Sequence, residues 1–509
     1  MTQQHPARFR LQLSSLRWLV ALVPVIGFLI TQEGLGEFAA DYLAWTLLAT
    51  SCAAVIIWRV RHDWLRALPQ LALFSLFIVG YFVQFFWSIL TPDSLEEIYW
   101  ELPVVVSEPG VLAESYEIIN LGFLGLTLGT VLSLGLRHAK AASPAERLQP
   151  IASDDQRRHF ERLSLVLLFV TPALMLGSGL AMFAYGIAVS GAQSVYLPFR
   201  ASGVIYYTHA MVVPALLCLL VWCTDVAGLR RRMQLGVALV LVHGLSGMML
   251  RSSRGVLLMV AALLFIVMLV SGRLTWKRFA PILAFGLLMG LLWPLFTIYR
   301  NVRVVDPGLG PLAALSESLG SLFGGSEALS ETFSSGMENT VRRIGNVYSV
   351  MLLAWKQTAP VGLKAVFIGG LDLGRYFTVE VLGYPADAPH SSATSLLGWF
   401  YLVGGKPLVV VGMACFAAFV AGLWRGLALL KLRTLPVARS MMIFWLALIA
   451  LEGALDRLAL GMLTLAAAVT VPELVLRLAS PRRRRHASPQ GGLPASQRRA
   501  TPAAPTSPA

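Results

Sequence analysis

The sequence predicts an all-α polytopic membrane protein, with about twelve transmembrane helices and one large extracytoplasmic loop that carries amphipathic helices. Three observations predict it. The chain has 509 residues, of which 56% are hydrophobic and only 13% charged, and its mean hydropathy is +0.69, far outside soluble globular usage. Apolar runs long enough to cross a hydrocarbon core, which takes roughly 20 helical residues, recur from one end to the other. The basic residues between these runs alternate as the positive-inside rule requires.

In chain order the apolar runs fall at 17–32, 38–58, 68–90, 111–136, 163–187, 207–227, 235–250, 256–272, 279–299, 405–424, 438–454 and 459–478. The basic N-terminus MTQQHPARFRLQLSSLR precedes the first run. Glu33, Glu37 and Asp41 follow it without a cleavage pattern, so the first run is read as a retained span. With a cytoplasmic N-terminus, the inner segments are that tail, RVRHDWLR, the loop 137–162, LRRRM, RLTWKR, RGLALLKLR and PRRRRH. Together they hold roughly 29 of the 41 Lys and Arg, so both termini are placed in the cytoplasm.

This count divides the chain into helices 1–9 over residues 1–299, an outer loop or cap over 300–404, helices 10–12 over 405–480, and a tail over 481–509. The tail is rich in Pro, Ala and Ser and reads as disordered. Within the outer loop, SEALSETFSSGMENTVRRIGNVYSVMLLAW has helical apolar spacing, and the expectation is an amphipathic helix lying on the membrane surface or capping the bundle. Glu338 and Arg342, four apart on it, form an ordinary surface pair.

The net charge of +14 allows nucleic acid, an anionic membrane surface or a phosphate-bearing substrate as partner. The position of the arginines decides against nucleic acid. Cys52, Cys218, Cys223 and Cys415 all lie in apolar runs with no metal-type spacing, so neither a metal nor a cofactor is expected. GLGPLAALSESLG is too loose for a nucleotide loop.

The stretch MMLRSSRGVLLM, 248–259, sets Arg251 and Arg254 at the tip of a tight apolar hairpin on the outer face, against the usual bias. YRNVR, 299–303, closes the ninth run with Arg300 and Arg303 at the same membrane depth. A guanidinium fork matches phosphate oxygens in a way an ammonium does not, and four of them converging can hold a pyrophosphate. The competing reading, that these arginines reach to lipid headgroups and anchor the spans, stays open.

Arg343 and Arg375 are further candidates for substrate contact. His390, in YPADAPHSSATSLLGWFYLVGG, is suited to take a proton from a hydroxyl near neutral pH, although a lone loop histidine is more often simply solvated. Glu114 and Glu117 rank below it as a base. His243, inside the seventh run, is expected to be packed and hydrogen-bonded to backbone. Glu452, Asp456 and Arg457 lie at a short turn, where mutual neutralisation is the simplest account and a proton relay the alternative.

Two segments carry a resemblance. RSSRGVLLMVAALLFIVMLV resembles the Ser-Arg-Gly-plus-apolar-helix segment of bacterial O-antigen and exopolysaccharide polymerases of the Wzy type, and SSATSLLGWFYLVGGKPLVVVGM resembles the segment that follows their large periplasmic loop. The likeness covers roughly residues 235–425; matched periplasmic Arg-rich repeats are absent.

It implies a metal-independent, inverting glycosyltransferase of GT-C-like architecture in the bacterial inner membrane. Such an enzyme polymerises undecaprenyl-pyrophosphate-linked oligosaccharide at the periplasmic face, in the lipid bilayer and beside a chain-length regulator. On this sequence Arg254 matches the Ser-Arg-Gly arginine and Arg300 and Arg303 fall at the family's basic span end. His390 has positional support only, and Tyr376, Trp399 and Tyr401 are placed to stack on sugar rings. An O-antigen ligase and a transporter or flippase for anionic glycolipids are the alternatives.

Overall fold

The computed structural model describes residues 16–32, 39–60, 67–95, 101–134, 154–187, 197–251, 255–270, 275–306, 308–323, 346–386, 392, 394–430, 432, 434–452, 470–471 and 474–475. Among them the protein is all helical, with no strand. Seven helices are long and apolar enough to cross a membrane: Ala40–Val60, Leu68–Leu90, Pro109–Leu134, Arg157–Tyr185, Ala201–Ala227, Arg230–Arg251 and Leu396–Leu429. This is an α-helical membrane protein. Helices also stand at every other expected run except 459–478, which lies almost wholly outside the described residues.

The elements are α1 (Leu16–Ala21), α2 (Val23–Thr31), α3 (Ala39–Val60), α4 (Leu68–Phe77), α5 (Gln84–Leu90), α6 (Leu102–Ser107), α7 (Pro109–Leu134), α8 (Asp154–Tyr185), α9 (Ala201–Tyr207), α10 (Val213–Ala227), α11 (Arg230–Arg251) and α12 (Gly255–Val270). There follow α13 (Trp276–Leu291), α14 (Trp293–Val305), α15 (Pro311–Phe323), α16 (Val347–Trp355), α17 (Leu363–Phe367), α18 (Leu373–Tyr376), α19 (Leu396–Leu429) and α20 (Leu435–Glu452). Single π-helical stretches, Ile78–Val83 and Thr208–Val212, join α4 to α5 and α9 to α10. Prolines set two other breaks. Pro24 opens α2 and Pro294 opens α14, where a missing N–H costs nothing.

The core gathers on α7, which packs against α3, α16 and α19. Tyr116 of α7 stacks on Tyr42 and Phe85, meets the edge of Phe82, and shares a 2.8 Å hydrogen bond with Thr46 of α3. On the opposite face, glycines let α19 approach to backbone distance. A Cβ added at Gly125 would collide with the Val410 carbonyl, and one at Gly129 with the Ala414 carbonyl. Small residues at membrane helix contacts serve this purpose.

Two short helical segments of the region 300–404 are buried in the bundle rather than laid on its surface. Val347–Ala354 of α16 is buried on every face. This end of the sequence that reads as an amphipathic surface helix is therefore core, because VYSVMLLAW is apolar all round apart from Ser349 and Tyr348. The rest of that segment, with Glu338, Arg342 and Arg343, lies outside the described residues.

The helix α19 is broken at Gly404 (φ −150°) and Gly405 (φ 67°), so its first segment, 396–403, doubles back along the second. Phe400 then lies against Gly412, where a Cβ would strike its ring. Leu397 meets Gly122 midway along α7, while Tyr401 reaches Glu114 nearer the start of α7. Residues 396–403 thus begin deep in the bundle and run toward the end where α7 starts.

The α16 helix runs the same way, because Ser349 sits deep while Trp355 and Lys356 reach Glu108 and Glu101 beside the start of α7. The buried starts of both segments are tied at Ser349. Its Oγ donates to the Thr394 carbonyl at 2.6 Å and lies 2.8 Å from Ser395 Oγ, which in turn caps the Gly398 N–H. Ser349→Ala should lower stability by about 1–2 kcal/mol, read as a fall in the thermal midpoint of the detergent-solubilised protein.

Candidate functional site: a polar cluster at the arginine end of the bundle

Helices α7, α8, the α9–α10 helix and α11 cross in succession, so the start of α7 and the end of α11 share one face of the bundle. That face carries most of the described residues that the sequence marks out for chemistry. At the end of α11, Arg251 donates to Tyr206 Oη at 2.9 Å, and its guanidinium lies over the Tyr206 ring, 5.0 Å from the centroid. The two interactions fix the direction of a charge that emerges from an apolar helix.

Tyr299 of α14 is fully buried and donates to the Met249 carbonyl at 2.6 Å. Met248, Met249, Phe285, Leu292, Leu295 and Phe296 pack around the joint. Since Met249 is two residues from Arg251 and Tyr299 adjoins Arg300, the bond brings the two basic helix ends to one place.

The arginines in it are not equivalent. Arg300 is half-buried. Arg303 is 6% exposed and donates to the Leu309 carbonyl, holding the turn between α14 and α15. Arg254, Arg343 and His390 lie outside the described residues.

The remaining predicted site residues stand on other elements. Arg375 is half-buried; its backbone N–H is capped by Asp372 and its side chain donates to the Ala386 carbonyl. Tyr376 is half-buried beside it. The aromatic pair on α19 is placed differently from the expectation of sugar stacking. Trp399 is only 3% exposed, with Phe400 at 89° and Phe367 at 64° to its plane, and Tyr401, 8% exposed, donates to Glu114 at 3.1 Å. Both rings support the fold-back rather than offer an open face.

Glu114 and Glu117 are clamped by Lys406, at 3.6 and 2.9 Å. Lys406 follows the Gly404–Gly405 break, so this three-way contact pins the tip of the reversal to α7. Glu101 is buried and paired with Lys356 at 3.1 Å, and Trp355 donates to Glu108. Each carboxylate near the start of α7 is therefore engaged by a residue of the 346–406 region.

One group escaped the sequence reading. His209, in the π-helical stretch Thr208–Val212, stands with His243 of α11, their ring centroids 4.7 Å apart. Both are 2% exposed. His243 is packed as expected, but its Nδ1 has no hydrogen-bond partner, and neither does Nε2 of His209. Ser178 of α8 lies 3.0 Å from His209 Nδ1. The sequence shows a single histidine in each of two consecutive apolar spans, a hint of an intramembrane polar site but not of their pairing.

Among the described residues no group of three or more His, Cys, Asp or Glu is arranged to hold a metal ion. No family profile, curated protein or solved structure matches the chain.

Proposed function

We propose that this protein is a membrane glycosyltransferase that polymerises undecaprenyl-pyrophosphate-linked oligosaccharide repeat units into O-antigen or exopolysaccharide, at the periplasmic face of a bacterial inner membrane. The observation that carries the reading is the Tyr299–Met249 bond, because it gathers Arg251, Arg300 and Arg303 at one end of the bundle. In an inverting transfer the departing pyrophosphate gains negative charge in the transition state, and preorganised cations lower the barrier where that charge develops. Arg251 and Arg300 are assigned to grip the leaving group together with Arg254, while Arg303 braces the turn behind them. His390 is assigned to draw the proton from the acceptor hydroxyl. A polyprenyl carrier keeps its tail in lipid, which suits a site at the ends of spanning helices.

The test is genetic and chemical. Removing the gene should leave single-repeat glycolipid in the host. Replacing Arg251 by alanine should lower chain extension by about 100-fold or more, the scale for losing one transition-state donor, while the protein still inserts. Long chains of normal abundance in Arg251→Ala and Arg254→Ala strains would end this assignment.

A second reading, a transporter or flippase of anionic glycolipids, is favoured by one feature. The buried starts of α16 and of 396–403 resemble the interrupted helices that form transport sites. In that case loss of the gene leaves the lipid-linked glycan on the cytoplasmic face, inaccessible to an external glycosidase. The polymerase reading predicts single repeats that the enzyme digests.

A further inference from the structure

Two imidazoles buried in apolar helices with an unpartnered nitrogen each are costly, and nothing in the proposed transfer uses them. Their surroundings are closely defined. The Ser178 hydroxyl donates to the Leu174 carbonyl at 2.6 Å, so toward His209 it acts as acceptor. Nδ1 of His209 therefore carries the hydrogen of that 3.0 Å contact, and its Nε2 keeps a free lone pair inside the bundle. The neighbouring His243 Nδ1 also lacks a partner. The ring centroids are 4.7 Å apart and the planes tilted by 50°, too close for both rings to carry a charge at once in an apolar setting, so the pair takes one proton at most.

The pair lies directly beneath the arginine end. His209 is one turn from Tyr206, and His243 is two turns from Arg251, about 12 Å along the axis at 1.5 Å per residue. Polar and titratable groups on the nearest turns of the packed elements are few. Ser178 of α8 touches His209, and along the chain Tyr206 and Tyr207 stand within one turn of His209 while Ser246 and Arg251 stand one and two turns from His243. Cys218 on α10 lies deeper, Asp225 is at the opposite end, and the described part of α12 has no titratable side chain. Among the described residues on these nearest turns Arg251 carries the full charge, with Arg300 and Arg303 of α14 joining it at the same end. The described partner of Arg251, Tyr206, is neutral.

We propose that the His209–His243 pair is a one-proton site coupled to anion binding at Arg251: a phosphate-type anion on the guanidinium draws a proton onto the pair, and its departure releases that proton. The physical reason is charge balance. A bare guanidinium repels an imidazolium across the low-dielectric helix contact, whereas a guanidinium neutralised by phosphate oxygens does not. The proton comes from solvent and adds to a nitrogen lone pair, with no other bond broken. By reciprocity, proton uptake on binding means that affinity for the anion rises as pH falls, by at most about tenfold per pH unit for one proton.

This inference rests on the reading of Arg251 as an anion-binding group, and the experiment separates the two. The full chain in lipid nanodiscs is titrated with inorganic pyrophosphate in buffers of different ionisation enthalpy, which gives the protons taken up per anion bound. Pyrophosphate itself titrates, so the measured quantity is the difference between the wild type and His209→Gln or His243→Gln. The expected result is that wild type takes up more protons, by up to one per anion, and that either substitution alone removes the whole excess.

Equal uptake in all three proteins, with pyrophosphate bound, overturns the proton site and leaves the arginine reading standing. No pyrophosphate binding by wild type overturns both. If a substitution prevents folding, ¹⁵N spectra of histidine in wild type serve instead. Pyrophosphate should shift two ring systems toward the imidazolium, and unmoved resonances sink the proposal.

Discussion

Gly129→Leu is expected to cost about 3 kcal/mol or more, enough to lose most of the folded protein from detergent extracts. A Cβ at this position already collides with the Ala414 carbonyl and crowds the Ala417 methyl. The obstacle is backbone, which has no other rotamer to take, and the rest of a leucine side chain adds to the conflict. α7 and the second segment of α19 would have to separate along their shared length, which also pulls Lys406 away from Glu117 and Tyr401 from Glu114. Gly110, near the start of the same helix, has open space around a built Cβ, so Gly110→Ala should leave the thermal midpoint within about 1 °C, on the scale of neutral surface changes. Equal losses from both substitutions would contradict the close approach.

The second large effect is expected at Gly405. Its φ of 67° with ψ of −164° belongs to a region essentially reserved for glycine, and a branched side chain raises the cost of φ > 0 further. Gly405→Val should destabilise by about 3 kcal/mol. Because the strain sits at the reversal, the loss should appear first in 396–403. Hydrogen exchange at Gly398 and Leu402 should quicken before exchange in α3 or α8 does. Uniform acceleration across the bundle would show that the reversal is not a local element.

Much of this architecture could be read from the residues. The apolar runs locate the long helices because lipid leaves a spanning backbone almost no choice but a helix, and the order of crossings already puts Arg251 and Arg300 at one end. The fold-back could not be read so simply. Nine residues of α16 and eight of 396–403 are too short to register as spans, and an apolar window of that length has no period that separates a surface helix from a buried one. Gly404-Gly405-Lys406-Pro407 reads equally well as the start of a span or as a reversal within one.

His209 was hidden for a different reason. THAMVVPALL shows a lone histidine at the head of an apolar run, and its partner His243 is supplied by the next span, so no local spacing joins them. Arg303 was legible as a cation but not in its use, since its acceptor, the Leu309 carbonyl, depends on how the chain turns after α14. Glu114 and Glu117 were visible as carboxylates near the start of a span, yet the lysine that clamps them is about 290 residues away.

The depth at which α16 and 396–403 begin bears on how the chain is made. Neither is long enough to span the bilayer as it is made, so both first lie on one side of it and only afterwards sink between helices already in place. Ser349, Thr394 and Ser395 then enter an apolar environment together, satisfying one another as they go, which makes their entry concerted. A nascent chain arrested before residue 395 should therefore hold α16 outside the membrane, open to protease, although its own sequence is complete.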